Sequence, residues 1–496
     1  MLPSLVTVAQ GLYGLLLLGL WLLLIAASAH LLRLGLWALA HPLASVSVRK
    51  LADGDLPVVT VQLPMRNERL VAARAIRAAC ALDWPKDRLQ IQVLDDSDAT
   101  DETVAIVDAE VAALRYAGFD ISAVRRPDRR SFKAGHLDFA LPSSRGEFIA
   151  VLDVDFVPQA DFLRQLVPHL VAQPQLAFVQ GRWSFLNEDD SLLLRVQALI
   201  LHGLFLVEQS YLSAHRQPVQ FNGSGGIWRK AALSQAGGWV GGDSDTEASV
   251  TEDLDLSFRV RLFGYESLLL PQVAVPTELP ESMAAFRSQQ KRWVRGGAQV
   301  LRGLLYKLWS PGRSLGERLT MLLHLLRHAR QPYLALALLF LPLPPLGVLH
   351  GLFAPPGGML AAVLILWTAL SVYYGAALLR LQRSPFWAVL LAPLVMALSM
   401  GLCVSLTVEL LRGVLSSRTG AEFVRTPKTG GQKEPAKQYR PVFDRLARIE
   451  VGIGGAYLAL SFWLFWRGDY LTALGFGLLI GAGLLWVGGG SWRISR

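Results

Sequence analysis

Residues 148–155 read Phe-Ile-Ala-Val-Leu-Asp-Val-Asp. An uninterrupted apolar run of this length, rich in β-branched and aromatic types, is the pattern of a strand buried on both faces. Two carboxylates, Asp153 and Asp155, follow it at i and i+2. Outward from this stretch, Val58–Leu63 and Ile91–Leu94 are similar β-rich runs, and helix-like segments such as Val71–Leu82 separate them. Strands alternating with helices predict a parallel sheet with crossover helices. Carboxylates gather just after the C-terminal ends of these strands, where open α/β sheets bind ligands.

This domain, about Lys50 to Arg313, is embedded in a chain of another character. The whole has 496 residues, 52% hydrophobic and 18% charged, with net charge +9 and mean hydropathy +0.36. Soluble domains carry roughly 25% charged residues, so disordered, coiled-coil and collagen-like classes are excluded. Two cysteines, Cys80 and Cys403, exclude a disulfide scaffold. The basic residues crowd the flanks of apolar runs instead of forming a stripe interleaved with aromatics. That is the positive-inside pattern of a membrane protein and not a nucleic-acid surface.

The apolar run Leu5–Ala29 is long enough to span and reads as an anchor, with Leu31–Ala40 as the end of a bent helix or a short interfacial one. Beyond the domain, Pro332–Leu349, Gly358–Leu379, Val451–Trp466 and Tyr470–Gly488 are candidate spans. Pro385–Leu415 is apolar too, but a crossing there would put the basic segment Ser416–Arg448 opposite the domain, against the charge rule. We expect a helix pair at the interface, or one that dips in and returns. The units are therefore a membrane helix (1–49), the catalytic domain (50–313), an interfacial helix and two spans (314–384), interfacial helices with a polar segment (385–449) and two last spans (450–496). About five crossings leave the catalytic domain cytosolic in a plasma or inner membrane.

Four clusters carry candidate chemistry. Asp95-Asp96-Ser97-Asp98 follows a strand and suits a base edge and ribose hydroxyls, or a solvated acidic turn. Asp153 and Asp155 suit Mg²⁺ or Mn²⁺, which uses one or two carboxylates plus diphosphate oxygens. Thr251-Glu252-Asp253 opens an amphipathic stretch, where a carboxylate either acts as a general base or answers the helix dipole. Gln289 and Arg292, at i and i+3 on the segment Met283–Leu304, present an amide and a guanidinium on one face, with Trp293 beside them. An amphipathic interfacial helix would show the same pattern.

The order Asp-Asp, Asp-x-Asp, Thr-Glu-Asp, Gln-x-x-Arg-Trp resembles the processive family 2 glycosyltransferases, the group of cellulose, chitin and hyaluronan synthases. The resemblance runs from about Pro57 to Lys428. Its local details are most similar to the cellulose synthase-like A mannan synthases and their bacterial relatives. The stretches are Gln62–Glu68, Ile91–Ser97, Phe132–Gly135, Val179–Trp183 and Phe221–Gly226. The resemblance implies a GT-A-like α/β domain between membrane helices, with a mixed, mostly parallel sheet. It implies an inverting hexosyl transfer from UDP-glucose or GDP-mannose to a growing β-glycan that is extended and in some members exported. It further implies that Glu68 with Asp95 or Asp96 holds base and ribose, and that Lys133 reaches the nucleotide or its phosphates. Asp153 and Asp155 would hold the metal-diphosphate, Asp253 would be the base, and Gln289 and Arg292 would grip the diphosphate. Trp293 and the Phe221–Ser224 floor, with Asn222, Gly223 and Ser224, would meet the acceptor. Phe423–Lys428 is similar to a donor-covering loop, with Thr426 and Lys428 as donor contacts, although Arg425 and Pro427 depart from that pattern. The rival readings are transfer to a single lipid acceptor and, from another class, a transporter with a regulatory domain. Nothing in the sequence specifies accessory export proteins.

Overall fold

The computed structural model describes residues 5–43, 48–241, 249–309, 314–343, 345–346, 358–415 and 445–492. Seven strands, β1 Val59–Met65, β2 Leu89–Asp95, β3 Asp120–Val124, β4 Phe148–Val151, β5 Leu176–Phe185, β6 Gly226–Arg229 and β7 Glu266–Thr277, form one sheet. Their order is β3-β2-β1-β4-β6-β5-β7. Only β6 pairs antiparallel, with β4 and β5. The sheet is thus mixed and mostly parallel, as expected. The chain winds from β1 outward through β2 and β3, then returns to place β4 on the other side of β1. This makes the β1/β4 gap a topological switch point, and Asp153 emerges there.

The domain helices are α2 Ala72–Cys80, α3 Glu102–Tyr116, α4 Phe132–Ala140, α5 Phe162–Ala172, α6 Leu192–Gly203, α7 Ser210–Ala214, α8 Lys230–Gln235, α9 Glu252–Leu262 and α10 Met283–Leu304. Ahead of them stands α1 Leu5–Ala40, and after them come α11 Leu315–Leu325, α12 Arg330–Phe340, α13 Gly358–Arg380 and α14 Phe386–Leu415. The last are α15 Arg445–Trp466, α16 Tyr470–Leu474 and α17 Ala482–Trp492.

Strand alternation sorts the core into two layers. Phe148 and Ala150 pack with α2, α3 and α5, while Ile149 and Val151 face α4, α8 and α9. In α2, Ala72, Ala75, Ile76 and Ala79 recur at helical spacing and are buried, so a short alanine-rich helix seats close to the sheet. The polar residues of β1 and β2 are buried too. Thr60 donates to Gln90 at 2.8 Å and Gln62 to Gln92 at 3.0 Å, so these side chains bond each other across the parallel pair, with Gln62 Oε1 left without a partner.

Among the described residues, six helical stretches are long and apolar enough to cross a membrane: Gln10–Ala40, Leu192–Ala214, Leu360–Arg380, Phe386–Leu415, Arg445–Trp466 and Tyr470–Ser491. Leu192–Ala214 connects β5 to β6, which are neighbours in one sheet. A single crossing would separate them, so this helix stays on the domain's side. One helix of 36 residues runs through Ala29, so Leu31–Ala40 is the end of α1 and not a separate interfacial helix. Within Pro332–Leu349, α12 ends at Phe340, and residues 344 and 347–349 lie outside the described residues.

The helix pair expected at Pro385–Leu415 is instead one helix of 30 residues that continues through Pro393. Proline removes the bond from its own nitrogen to the carbonyl four residues earlier, here Val389. The Trp367 indole on α13 donates to that same carbonyl at 2.8 Å. The freed acceptor is satisfied from outside, and the helix does not break. We expect Trp367→Phe to lower stability by about 0.5–1.5 kcal/mol, the net worth of the lost hydrogen bond. The effect should shrink in a Pro393→Ala background, where the helix supplies its own donor. Thermal unfolding of the four detergent-solubilised variants measures this, and equal losses in both backgrounds would reject the compensation.

Candidate active site

The site is assembled at the C-terminal ends of β1, β2 and β4. Asp153 leaves β4, and its backbone N–H donates to Ser224 Oγ at 2.8 Å. Ser224 belongs to the turn that precedes β6. Gln180 Nε2 and Trp183 Nε1 on β5 both donate to its carbonyl, at 3.1 and 3.2 Å. The turn is thereby stitched to two strands. At its apex Gly223 has φ +83°, and a Cβ there would stand 3.2 Å from Asp253 Oδ2. Glycine is required on both counts.

Asp253 lies in the first turn of α9, with Glu252 before it. Carboxylates suit a helix start because they answer the exposed N–H groups, and the Leu254 N–H bonds Asp253 Oδ1 at 2.8 Å. Lys133, the second residue of α4, reaches into the middle of this group. Its ammonium donates to Asp153 Oδ1 at 2.6 Å and to the Gly223 carbonyl at 2.9 Å, and stands 3.8 Å from Glu252. Burial works against that charge, but Asp153 and then Glu252 outweigh it and raise Lys133 to about 12. Burial, and then the adjacent Glu252 charge, push Asp253 up to about 7. Glu252 is likewise raised, chiefly by burial.

From above, α10 closes on this turn. A Cβ on Gly296 would collide with Thr251 at 2.4 Å, so the helix backbone rests directly on Thr251-Glu252-Asp253. Arg292 is close enough for its charge to favour the ionised Glu252. Gln289, Arg292 and Trp293 are half-buried, and Trp293 packs on the cluster of Phe185 and Leu279.

Other expected site residues sit differently. Asp95 is buried, bonded by Arg125 Nε at 3.0 Å and by the Ser97 N–H at 3.0 Å. Asp96 is gripped by Arg126 through two nitrogens, at 2.9 and 2.6 Å, and by His136 Nδ1 at 3.1 Å. Burial opposes ionisation there, but His136 and Arg126 overcome it and hold Asp96 down at about 2. These carboxylates serve the wall of the cleft. Glu68 is buried where the chain leaves β1, and its carbonyl accepts the Val71 N–H that starts α2. Asn222 turns its amide into a network with Gln180, Gln209 and the Gln220 carbonyl. Ser224 is fully buried, so its hydroxyl positions Asp153 and does not face the cleft. Thr426 and Lys428, with the rest of Phe423–Lys428, lie outside the described residues.

Sequence reasoning did not assign Arg126, His136, Gln180 or Thr277. Thr277, at the end of β7, donates to Asp155 Oδ2 at 2.7 Å. Gln180 lay inside a matched stretch, and the pair Arg125-Arg126 directly follows β3, which were usable signals. Thr277 had none, because the β5/β7 pairing that brings it there is remote in sequence.

The chemistry of the donor set fits a divalent cation. Asp153 and Asp155 offer hard oxygens, the second oriented by Thr277 and buried. The carboxylates of Asp153, Glu252 and Asp253 outnumber the one ammonium among them. Among the described residues there is no group of three His, Cys, Asp or Glu that could hold a metal ion. Asp153 and Asp155 would therefore hold Mg²⁺ or Mn²⁺ only together with substrate phosphates.

A profile for glycosyl transferase family group 2 matches residues 148–405, and one for glycosyl transferase family 2 matches residues 60–230. The chain belongs to glycosyl transferase family group 2. Glucomannan 4-beta-mannosyltransferase 2 of Arabidopsis thaliana is 43% identical over 264 residues, which are 52% of this chain and 48% of that protein. Probable glucomannan 4-beta-mannosyltransferase 7 of Oryza sativa subsp. japonica is 36% identical over 357 residues, 70% of this chain and 58% of that one. The chain thus spans about half the length of the first of these relatives. Among solved structures, the mannosyltransferase PcManGT from Pyrobaculum calidifontis, in complex with GDP-Man and Mn²⁺, superposes with a TM-score of 0.54. At 21% identity, covering 74% of this chain and 98% of that one, it shows the GT-A-like fold.

Gly223→Ala tests the closest approach in this family 2 site. The left-handed backbone should cost about 1–2 kcal/mol. The new methyl group would press on Asp253, and misplacement of a reacting group is expected to lower the catalytic rate at least roughly tenfold. Thermal midpoint and initial rate on the same preparation separate the two effects. An unchanged rate would remove Gly223 from the site.

Proposed function

We propose that this protein is a membrane-embedded inverting hexosyltransferase that adds mannose from GDP-mannose to a β-glycan, with UDP-glucose as the alternative donor. The observation that carries the reading is the convergence of Lys133, Asp153, Glu252 and Asp253 under α10, at the switch point of a nucleotide-sugar fold. The mannosyl donor is supported by the likeness to glucomannan mannosyltransferases.

In this reading Asp253 removes the proton from the acceptor hydroxyl as its oxygen bonds to the anomeric carbon. The bond from that carbon to the diphosphate oxygen breaks on the opposite face. A carboxyl raised to about 7 is a stronger base than an ordinary aspartate. The charge left on the nucleoside diphosphate is met by Lys133, Arg292 and Gln289. When bound, a divalent cation held by Asp153 and Asp155 neutralises diphosphate charge. Trp293 and the turn around Gly223 border the acceptor side. Asp95, Asp96 and Glu68 shape the base and ribose end, the first two through their arginines.

In this reading the chain crosses five times, through α1, the run Pro332–Leu349 that α12 enters, α13, α15 and α16–α17, of which all but the α12 run are long apolar helices. At the end of α13, Arg380 donates to the Ala38 carbonyl of α1 at 3.2 Å, just before α1 leads into the catalytic domain. Phe340 on α12 instead meets Tyr13, with ring centroids 6.5 Å apart. Tyr13 is about 40 Å along α1 from Ala40 at 1.5 Å per residue. So α12 heads for the far face and α13 returns. Both ends of α14 then lie on the domain side, because it starts just after Arg380 and Arg302 of α10 bonds the Val414 carbonyl at 3.2 Å. It lies in the interface, as a single helix. Then α15 goes out and α16–α17 come back, with Gly490 against Met283 of α10. The domain side is the cytosol.

Three measurements test this. Membranes given radiolabelled GDP-mannose or UDP-glucose should build β-linked polymer from the first, and product from neither would reject the activity. EDTA should abolish transfer and Mn²⁺ or Mg²⁺ restore it, while Asp253→Asn should lower turnover about 10²–10⁴-fold with donor affinity little changed. In a variant lacking Cys80 and Cys403, cysteines at Ser384 and Leu415 should both resist an impermeant thiol reagent in intact cells, and one at Arg467 should react. Labelling at only one of the first two would make α14 a true span.

A further inference from the structure

The helix that carries Gln289, Arg292 and Trp293 has a second charged face that the reaction does not use. Arg287 forms a two-nitrogen pair with Glu450 of α15, at 2.6 and 3.1 Å, and the two side chains are 3% and 0% exposed. Two turns along, Arg295 Nε bonds Glu409 of α14 at 2.8 Å, and Glu409 is 5% exposed. Arg412 completes the second cluster, at 2.8 Å from Glu409. At about 100° per residue, Arg287 and Arg295 centre on a face roughly 150° from the mean direction of Gln289, Arg292 and Trp293. One side of α10 therefore addresses the site, where Gly296 rests on Thr251. The other is pinned to two helices of the membrane region.

We infer that Arg287–Glu450 and Arg295–Glu409 are positioning pairs that fix the register and roll of α10, and so set where Gln289 and Arg292 stand over the donor diphosphate. Arg287, Glu450 and Glu409 are buried and Arg295 is 26% exposed, so these charges are costly to desolvate, and apolar side chains of the same volume would hold the helices together at least as well. What an apolar contact does not specify is which of several nearby helical positions is occupied. A bidentate arginine–carboxylate pair specifies it in distance and direction. Larger side chains pack here too, Phe286 and Val294 among them, but two of the closest contacts are with glycines, which offer no side chain to interlock. A Cβ at Gly413 of α14 would meet the Arg295 carbonyl at 2.6 Å, and one at Gly490 of α17 would meet Met283 at 3.0 Å. Smooth, glycine-faced contacts permit close approach without interlocking, and the ion pairs supply the missing registration. Two pairs about 12 Å apart along one helix resist both translation and rotation, which one pair would not.

This inference rests on Gln289 and Arg292 being donor contacts, and the experiment separates the two ideas. Arg292→Ala is the control for that reading. It should raise the KM for GDP-mannose, or for UDP-glucose if that is the nucleotide supporting transfer. An unchanged KM would refute the donor assignment itself. The test proper is the double variant Arg287→Met/Glu450→Leu, which removes both charges together and should fold as well as the parent. Per folded molecule, its donor KM should rise about tenfold, with a fall in kcat, because α10 is no longer held in one register. Thermal midpoint and donor kinetics would then move independently. A double variant with parental KM and kcat would overturn the inference, since the pair would then be structural filling only. If that variant does not fold, Arg287→Lys decides. It keeps the charge but loses the two-point grip, and should fold with a several-fold higher KM. Parental kinetics in Arg287→Lys would overturn the inference equally. The reversed pair Arg287→Glu/Glu450→Arg should recover part of the lost donor affinity, and a positioning role requires that recovery.

Discussion

The ammonium of Lys133 sits among groups delivered by a strand end, a glycine turn and a helix start. Asp153, the Gly223 carbonyl and Glu252 all approach it within 4 Å. Without a positive charge at that point, Asp153, Glu252 and Asp253 would repel one another in a region of restricted solvent. Burial first, and after it the neighbouring carboxylates, keep Glu252 and Asp253 raised even beside the ammonium. The remaining anionic character is what a divalent cation and a basic helix can meet. The local backbone answers to this charge arrangement. Ser224 holds the Asp153 N–H, Gly223 makes room for Asp253, and Gly296 lets α10 settle on Thr251.

The antiparallel strand β6 connects this cluster to the sheet. It is only four residues long, but it inserts between β4 and β5 and so carries the Phe221–Gly225 turn across the end of both. Gly225 bonds the Val151 carbonyl, and the Gly181 N–H bonds the Gly225 carbonyl, each at 3.0 Å. A reversed strand in an otherwise parallel sheet is thus the device that brings the turn back over the strand carrying Asp153. The same insertion places β5 beside β7, whose last residue, Thr277, orients Asp155.

Much of this was legible from the sequence, and the parts that were not share a physical character. The strand ending at Val151, the helix Met283–Leu304 and the carboxylates at strand ends were readable because periodicity and local charge determine them. The cage around Asp96 was not, since Arg126 and His136 reach it from separate elements across the sheet edge. Nor were the pairs Thr60–Gln90 and Gln62–Gln92, whose polar side chains are buried because two parallel strands place them opposite each other. The continuity of α14 was hidden for a related reason. Pro393 predicts a break locally, and the Trp367 indole that prevents it comes from another helix. Local signals described the elements well. Side chains that compensate one another across elements were invisible until the chain was folded.

Compensation across elements also explains how a catalytic domain and a membrane region act as one body. Apolar helices in lipid have little hydrophobic reason to choose one packing over its neighbours, because lipid tails are as apolar as leucine. Small residues let them approach closely, as Gly401 and Gly483 do where α14 meets α17, but closeness is not registration. A transferase that grips a diphosphate needs its donor ligands held to within about an ångström. Polar contacts at the seam meet that need. Arg380 bonds the Ala38 carbonyl at the end of α1, and Arg287 and Arg295 reach carboxylates near the ends of α15 and α14. Each arginine has a defined partner, and for Arg287 that partner is buried with it. The seam therefore combines polar pairs with close glycine contacts, and α10, which belongs to both regions, turns these toward the membrane helices and turns Gly296 toward Thr251.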